Sequence, residues 1–315
     1  MEIPTVREKR GPVIAAAAFL AAVFMLTNGC SDSSGEPIGD FDAERDGVPV
    51  VTYHYFREGN TPQRTLRSIG TVLLNLPLIP STDYWTVSAG AFERQLKYLE
   101  ENGYKTVTMH ELLDHMSGRS VLQGKCVALT FDDGDRSVYR YAYPLLREYG
   151  MRGTLFVVTS RIGQQWDDLE LCTIEELREM ERSGVIAIES HTHDLHYKLE
   201  GGVGGPHPAF DLLATVGGRE DRKAVLKDLV RSRRLIMHLF GGESRVLAWP
   251  FGFGSALSDS IAGQAGFEGI CSLYPGTNFA GETPYFIKRY TITARTSLRM
   301  FRLMAKGRYK ETHGP

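Results

Sequence analysis

The sequence predicts an α/β fold in which strands and helices alternate, right-handed crossovers lay the strands parallel, and the sheet closes into a barrel. Two stretches carry that reading. Val127-Ala128-Leu129-Thr130-Phe131 is an apolar run that stops on Asp132-Asp133-Gly134, and Val185 to Ile188 is a second run that leads into Ser190-His191-Thr192-His193-Asp194-Leu195-His196. Both end in clustered titratable groups, and a parallel barrel binds its ligands at the carboxyl ends of its strands.

The remaining elements follow in order. Val48 to Val51 is a short apolar strand that runs into Tyr53-His54-Tyr55-Phe56. From Arg57 to Thr86 the chain is irregular, broken by Pro62, Pro77 and Pro80, and a loop of that length is expected to border the groove. Ser88 opens a helix with Phe92, Leu96 and Leu99 on one face and Asn102-Gly103 as its stop, followed by a strand over 104–108. His110 and His115 read as helix-start or surface histidines. A helix over 139–149 closes at Gly150, a strand covers 153–158, and Thr173-Ile174-Glu175-Glu176 is a capping box for the helix ending at Ser183-Gly184. Gly201 to Gly205, with Pro206 and Pro208, reads as a flexible substrate-side insertion carrying His207. Residues 219–240 show helical spacing at Val225, Leu229 and Ile236, and Val246 to Gly252 reads as another buried strand reaching the rim. The stretch 295–310 holds six basic residues and no acid, with Leu298, Phe301 and Met304 at helical spacing, which predicts a basic, solvated C-terminal helix.

Residues 1–29 begin with Arg7, Lys9 and Arg10 and continue through an uncharged stretch, the pattern of a secretory signal. Leu26-Thr27-Asn28-Gly29-Cys30 resembles a bacterial lipobox, so the chain is expected to be exported to the periplasm or cell envelope and anchored through a lipid on Cys30 to an outer membrane. Residues 30–47 are mostly small and acidic and read as a tether, leaving 48–315 as one domain. A formal net charge of −2 gives no electrostatic reason to expect nucleic acid as a partner. Cys126, Cys172 and Cys271 have no zinc-knuckle spacing and read as buried free thiols.

Neighbouring side chains on a strand point to opposite faces, so of Asp132 and Asp133 one can hold a metal while the other faces a reacting water, provided the turn brings both to the rim. Three imidazoles at the end of a second strand suit a divalent ion better than a core. His191 pairs either with His193, on one face of a continuing strand, or with His196 after a turn.

Thr130-Phe131-Asp132-Asp133-Gly134 and the Ser190–His196 segment together resemble the polysaccharide deacetylases, the NodB-type carbohydrate esterases. The histidine pair five apart, with Trp249-Pro250-Phe251-Gly252 in place of an arginine-bearing third motif, is similar to the subgroup acting on poly-β-1,6-N-acetylglucosamine. That resemblance implies a distorted (β/α)7-like barrel and hydrolysis of N-acetyl groups on a polysaccharide. It also implies one divalent metal ion, zinc by its mixed O/N ligands, on Asp133, His191 and His196. Asp132 would be the base, the Phe251 N–H would hold the oxyanion, and His54 would be the acid, since Phe286 to Tyr290 contains no histidine. Trp249 is either a wall for a sugar ring or plain packing, and His207 is a candidate substrate contact. Any export or glycan-hydrolase partner is expected to be a separate protein. Two other functions fit the motifs: deacetylation of another glycan, such as peptidoglycan or a chitin-like polymer, and glycan binding without catalysis.

Overall fold

A computed structural model describes residues 42–58, 81–202, 205–252 and 254–310. The expected signal segment and lipobox lie outside the described residues, as does most of the tether and of the 57–86 loop. Among the described residues no helix is long and apolar enough to cross a membrane.

Seven parallel strands make the frame: β1 (Val48–Tyr53), β2 (Cys126–Phe131), β3 (Gly153–Val157), β4 (Ile186–Ser190), β5 (Val246–Ala248), β6 (Gly269–Cys271) and β7 (Tyr290–Thr291). They pair in the order β7-β1-β2-β3-β4-β5-β6, with Lys105–Val107 alongside the start of β2 and Thr277–Asn278 antiparallel to β1. The sheet curls so that its two ends share one segment. Ile287 bridges to Cys271 at the end of β6, and three residues later Tyr290 pairs with Val51 of β1. The fold is therefore the distorted (β/α)7-like barrel that the sequence implied. β1 and β2 are buried at every position, as expected of strands covered on both faces.

The helices start where the sequence marks them. Ser88 caps Ala89–Glu101, and Thr173 forms a capping box with Glu176 at the head of Ile174–Arg182. Arg219–Phe240 ends on Gly241 in the left-handed conformation. Val138–Ala142 is a π-helical turn continued by the α-helix Tyr143–Glu148, where one regular helix was expected.

Three expectations are corrected. The domain begins before Val48: Ala43–Asp46 is helical, Ala43 is fully buried, and its N–H donates to the Gly124 carbonyl at 2.8 Å, so the tether ends earlier. The insertion after the histidine segment is an antiparallel ribbon, Lys198–Gly202 with Gly205–Pro208, because extended Gly-Pro chain can still pair along one edge. His115 is buried, its Nδ1 accepting the Leu122 N–H at 3.2 Å. Cys126, Cys172 and Cys271 are free and buried, as read.

β4 and β5 meet only where Ser190, the last residue of β4, stands opposite Leu247. Below that point the buried Glu189 carboxylate stands in for the missing sheet bonds, accepting the N–H groups of Arg245 and Val246, the Ser244 hydroxyl and a bond from His110. His110 thus closes the floor, far from the rim in chain connectivity.

Close packing between β2 and β3 depends on Gly153, where an added Cβ would stand 2.8 Å from the Phe131 ring and 3.1 Å from the Leu129 carbonyl. Gly153→Ala is expected to lower stability by about 1–3 kcal/mol, read as a shift of the urea midpoint at unchanged slope.

Candidate active site

The rim is built from turns that ordinary residues seldom adopt. Asp133, Thr192 and Phe251 have φ of 72°, 74° and 63°, three of the four non-glycine residues with positive φ among the described residues. Each lies just after a strand, and such strain tends to persist where the surrounding structure enforces it. After β2, Asp132 keeps sheet-like pairing through its N–H to the Tyr53 carbonyl at 2.9 Å, whereas Asp133 leaves it. Both carboxylates thereby reach the barrel mouth.

Asp133 Oδ1 lies 3.4 Å from His191 Nε2 and 3.3 Å from His196 Nε2, and its Oδ2 accepts the Tyr55 hydroxyl at 2.5 Å. The turn at Thr192 brings the two imidazoles together. It is held from behind by the Asp228 carboxylate, which accepts the N–H groups of His193 at 2.9 Å and Asp194 at 2.8 Å. His193 points elsewhere, its Nδ1 lying 2.9 Å from the Thr159 hydroxyl. The geometry therefore joins His191 with His196 and leaves His193 out.

These residues fit a divalent ion. One oxygen and two ring nitrogens lie within 4.8 Å of one another, and neighbouring ligands on a tetrahedral ion with bonds of about 2.0–2.1 Å would stand about 3.3 Å apart. His191 Nδ1 donates to the Ala248 carbonyl at 2.7 Å, which leaves the Nε2 lone pair for the ion. Burial works to raise the Asp133 carboxyl, but the bonds from His191 and His196 outweigh it and hold it well below the usual carboxylate range. Burial likewise lowers His191, and its bond to Asp133 more than reverses that.

Asp132 is gripped by a residue that sequence reading passed over. Arg289 donates Nη1 to Oδ1 at 2.8 Å and Nη2 to Oδ2 at 2.9 Å, while its Nε donates to the Ser272 carbonyl at 2.8 Å and Nη1 also reaches the Thr52 hydroxyl at 3.2 Å. The guanidinium is fully buried. Burial alone would raise the Asp132 carboxyl; the Arg289 charge reverses this and keeps it ionised. Arg289 lies within Phe286 to Tyr290, a stretch notable in the sequence only for its lack of a histidine, and the adjacent Lys288 makes it read as one of two ordinary surface cations. Tyr55, which orients Asp133, was likewise visible only as part of an aromatic cluster.

His54 packs against Trp85 with ring centres 4.8 Å apart, and its buried Nδ1 has no hydrogen-bond partner among the described residues. Burial lowers its pKa, and the charges of Asp133 and Asp132 pull in the opposite direction. Trp249 and His207 are both held by bonds within the fold. Trp249 is 1 % exposed, stacked on Phe210 at 4.2 Å and bonded through Nε1 to Asp259, so it is packing and not a sugar wall. His207 Nε2 donates to the Asp211 carboxylate at 2.9 Å, and Asp211 also accepts the Ser255 N–H, which ties the ribbon to the next helix.

A parallel barrel whose mouth joins a candidate metal site to an ionised carboxylate is that of a hydrolase. Residues 119–270 match the family described as polysaccharide deacetylase, and that stretch is a polysaccharide deacetylase domain. It is 27 % identical over 210 residues to the poly-β-1,6-N-acetyl-D-glucosamine N-deacetylase of Staphylococcus aureus strain MSSA476, covering 66 % of this chain and 68 % of that one. Among solved structures it is similar to IcaB from Ammonifex degensii, with a TM-score of 0.66 and 27 % identity over 84 % of this chain and 99 % of that one. The de-N-acetylase from Aggregatibacter actinomycetemcomitans shares the fold at a TM-score of 0.66 and 24 % identity, over 82 % of this chain and 100 % of that one.

Two outcomes test the site. His196→Ala is expected to purify with its metal content reduced to near zero by elemental analysis, while His193→Ala keeps the wild-type stoichiometry. Arg289→Leu leaves a buried carboxylate unpaired and is expected to cost about 3–5 kcal/mol of stability, measured by urea unfolding, with Arg289→Lys falling between.

Proposed function

We propose that the protein removes acetyl groups from N-acetylglucosamine units of an extracellular polysaccharide, poly-β-1,6-N-acetylglucosamine, with one divalent ion, zinc, held by Asp133, His191 and His196. The observation that carries the reading is the pairing of an Arg289-held carboxylate with the Asp133, His191 and His196 cluster at one barrel mouth. The substrate rests on the relatives named for that polymer and on the spacing of His191 and His196. A bound divalent ion would supply a Lewis acid for the acetyl carbonyl and lower the pKa of a water nearby.

The chain's own groups supply the remaining chemistry. Asp132, ionised by its pairing with Arg289, accepts a proton from the attacking water as its oxygen bonds to the acetyl carbon. Arg289 fixes both carboxylate oxygens, so the base is positioned before substrate arrives. The Phe251 N–H donates to the oxygen that gains charge. His54 donates a proton to the departing nitrogen as the carbon–nitrogen bond breaks, yielding a free amine and acetate. Tyr55 holds Asp133 Oδ2, which leaves Oδ1 for the ion.

The pattern of residues 1–30 supports export and lipid attachment at Cys30. Such a placement would bring the barrel to a polymer outside the cell, with any export or hydrolase partner on a separate chain.

Acetate release from β-1,6-linked N-acetylglucosamine oligomers, compared with β-1,4-linked ones, tests the proposal. Release from the β-1,6 series is expected, with Asp132→Asn and His54→Gln each slower by about 10²–10⁴-fold while retaining bound metal. Release from the β-1,4 series alone would reject the polymer named here and keep the chemistry; none from either would reject both.

A further inference from the structure

A short ladder of side chains leads outward from His54. Trp85 follows at 4.8 Å, Tyr84 stands 5.0 Å from Trp85 edge to face, and the Arg295 guanidinium lies 5.8 Å from the centre of the Tyr84 ring. Tyr84 is 44 % exposed, so the ladder surfaces there. The Tyr84 carbonyl accepts the Ala294 N–H at 2.9 Å, which ties the loop after β7 to the segment carrying both rings. Among the described residues the Arg295 side chain meets this ring and forms no ion pair, and the neighbouring acid Asp83 has a partner of its own.

Rings with an apolar body and a polar tip suit a sugar, whose faces are alternately C–H and hydroxyl. The reaction proposed above also changes the charge of what it leaves behind. An acetylated unit is neutral, whereas a deacetylated one carries an amine that is protonated near neutral pH. A fixed cation beside a sugar subsite therefore distinguishes the two.

We propose that Tyr84 and Trp85 form a subsite for the sugar unit flanking the reacting one, and that Arg295 makes this subsite favour a unit still bearing its acetyl group. The inference rests on the deacetylase reading above and extends it to the pattern of the product. A unit next to a freshly made amine is a poorer substrate than one between two acetylated neighbours, so acetyl groups are removed at scattered positions rather than in runs. Two like charges several ångströms apart in a partly solvated groove make the preference about threefold to tenfold, and it fades in molar salt, where screening acts over about 3 Å.

The test uses the full mature protein and two β-1,6-linked pentamers, one fully acetylated and one with a single glucosamine beside the unit attacked. The wild type is expected to show a kcat/KM about threefold to tenfold higher on the first at low salt. Arg295→Gln abolishes that ratio, Arg295→Lys keeps most of it, and 1 M KCl removes it from the wild type. Tyr84→Ala raises KM for pentamers more than for dimers. An unchanged ratio in Arg295→Gln, or a wild type that treats both pentamers alike, would overturn the subsite while leaving the deacetylase reading intact. Acetate from neither pentamer would instead reject the polymer named above, and this inference with it.

Discussion

The structure hangs on one buried ion pair. Ile287 to Tyr290 is the segment on which the two ends of the curled sheet converge, bridging to Cys271 on one side and pairing with Val51 on the other. From its middle Arg289 reaches inward to both oxygens of Asp132. Closing the barrel and fixing the Asp132 carboxylate are thus one event. A guanidinium and a carboxylate taken fully out of water are tolerable only when their lone pairs and N–H groups find partners. Ser272 and Thr52 accept two further N–H groups of Arg289, so four of its five are bonded.

Around that pair the rim is shaped by backbone held in unusual conformations. A regular strand would send Asp132 and Asp133 to opposite faces and would place His191 beside His193. The left-handed turns at Asp133 and Thr192 defeat both tendencies. A β-branched threonine is a costly occupant of such a turn, and the Asp228 carboxylate behind it receives the two N–H groups that hold the turn in place. Phe251 makes the third such turn, its ring 4.7 Å from that of His196. Local strain is therefore concentrated where the chemistry is placed, on a barrel whose strands are regular and buried.

Much of this was legible in the sequence because it depends on short-range signals. The apolar runs before Asp132 and Ser190 fixed two strands and their polar ends, and the cap residues Ser88 and Thr173 fixed the starts of two helices. What escaped was long-range. Arg289 is 157 positions from Asp132, and no local pattern announces that a cation will be buried against an acid from across the barrel. Tyr55 read as one aromatic among several, and its hydroxyl gains meaning only when Asp133 is folded beneath it. Trp249 read equally as plain packing or as a wall for a sugar, and only the fold decides: a bond to Asp259 and the flat face of Phe210 draw it into the core.

The central claim is that one divalent ion sits on Asp133, His191 and His196. X-ray absorption on the protein as purified reports both the element and its ligand shell. The account predicts zinc with two imidazole nitrogens and light oxygen ligands at about 2.0–2.2 Å. A shell with three imidazoles, or one containing sulfur, would contradict it.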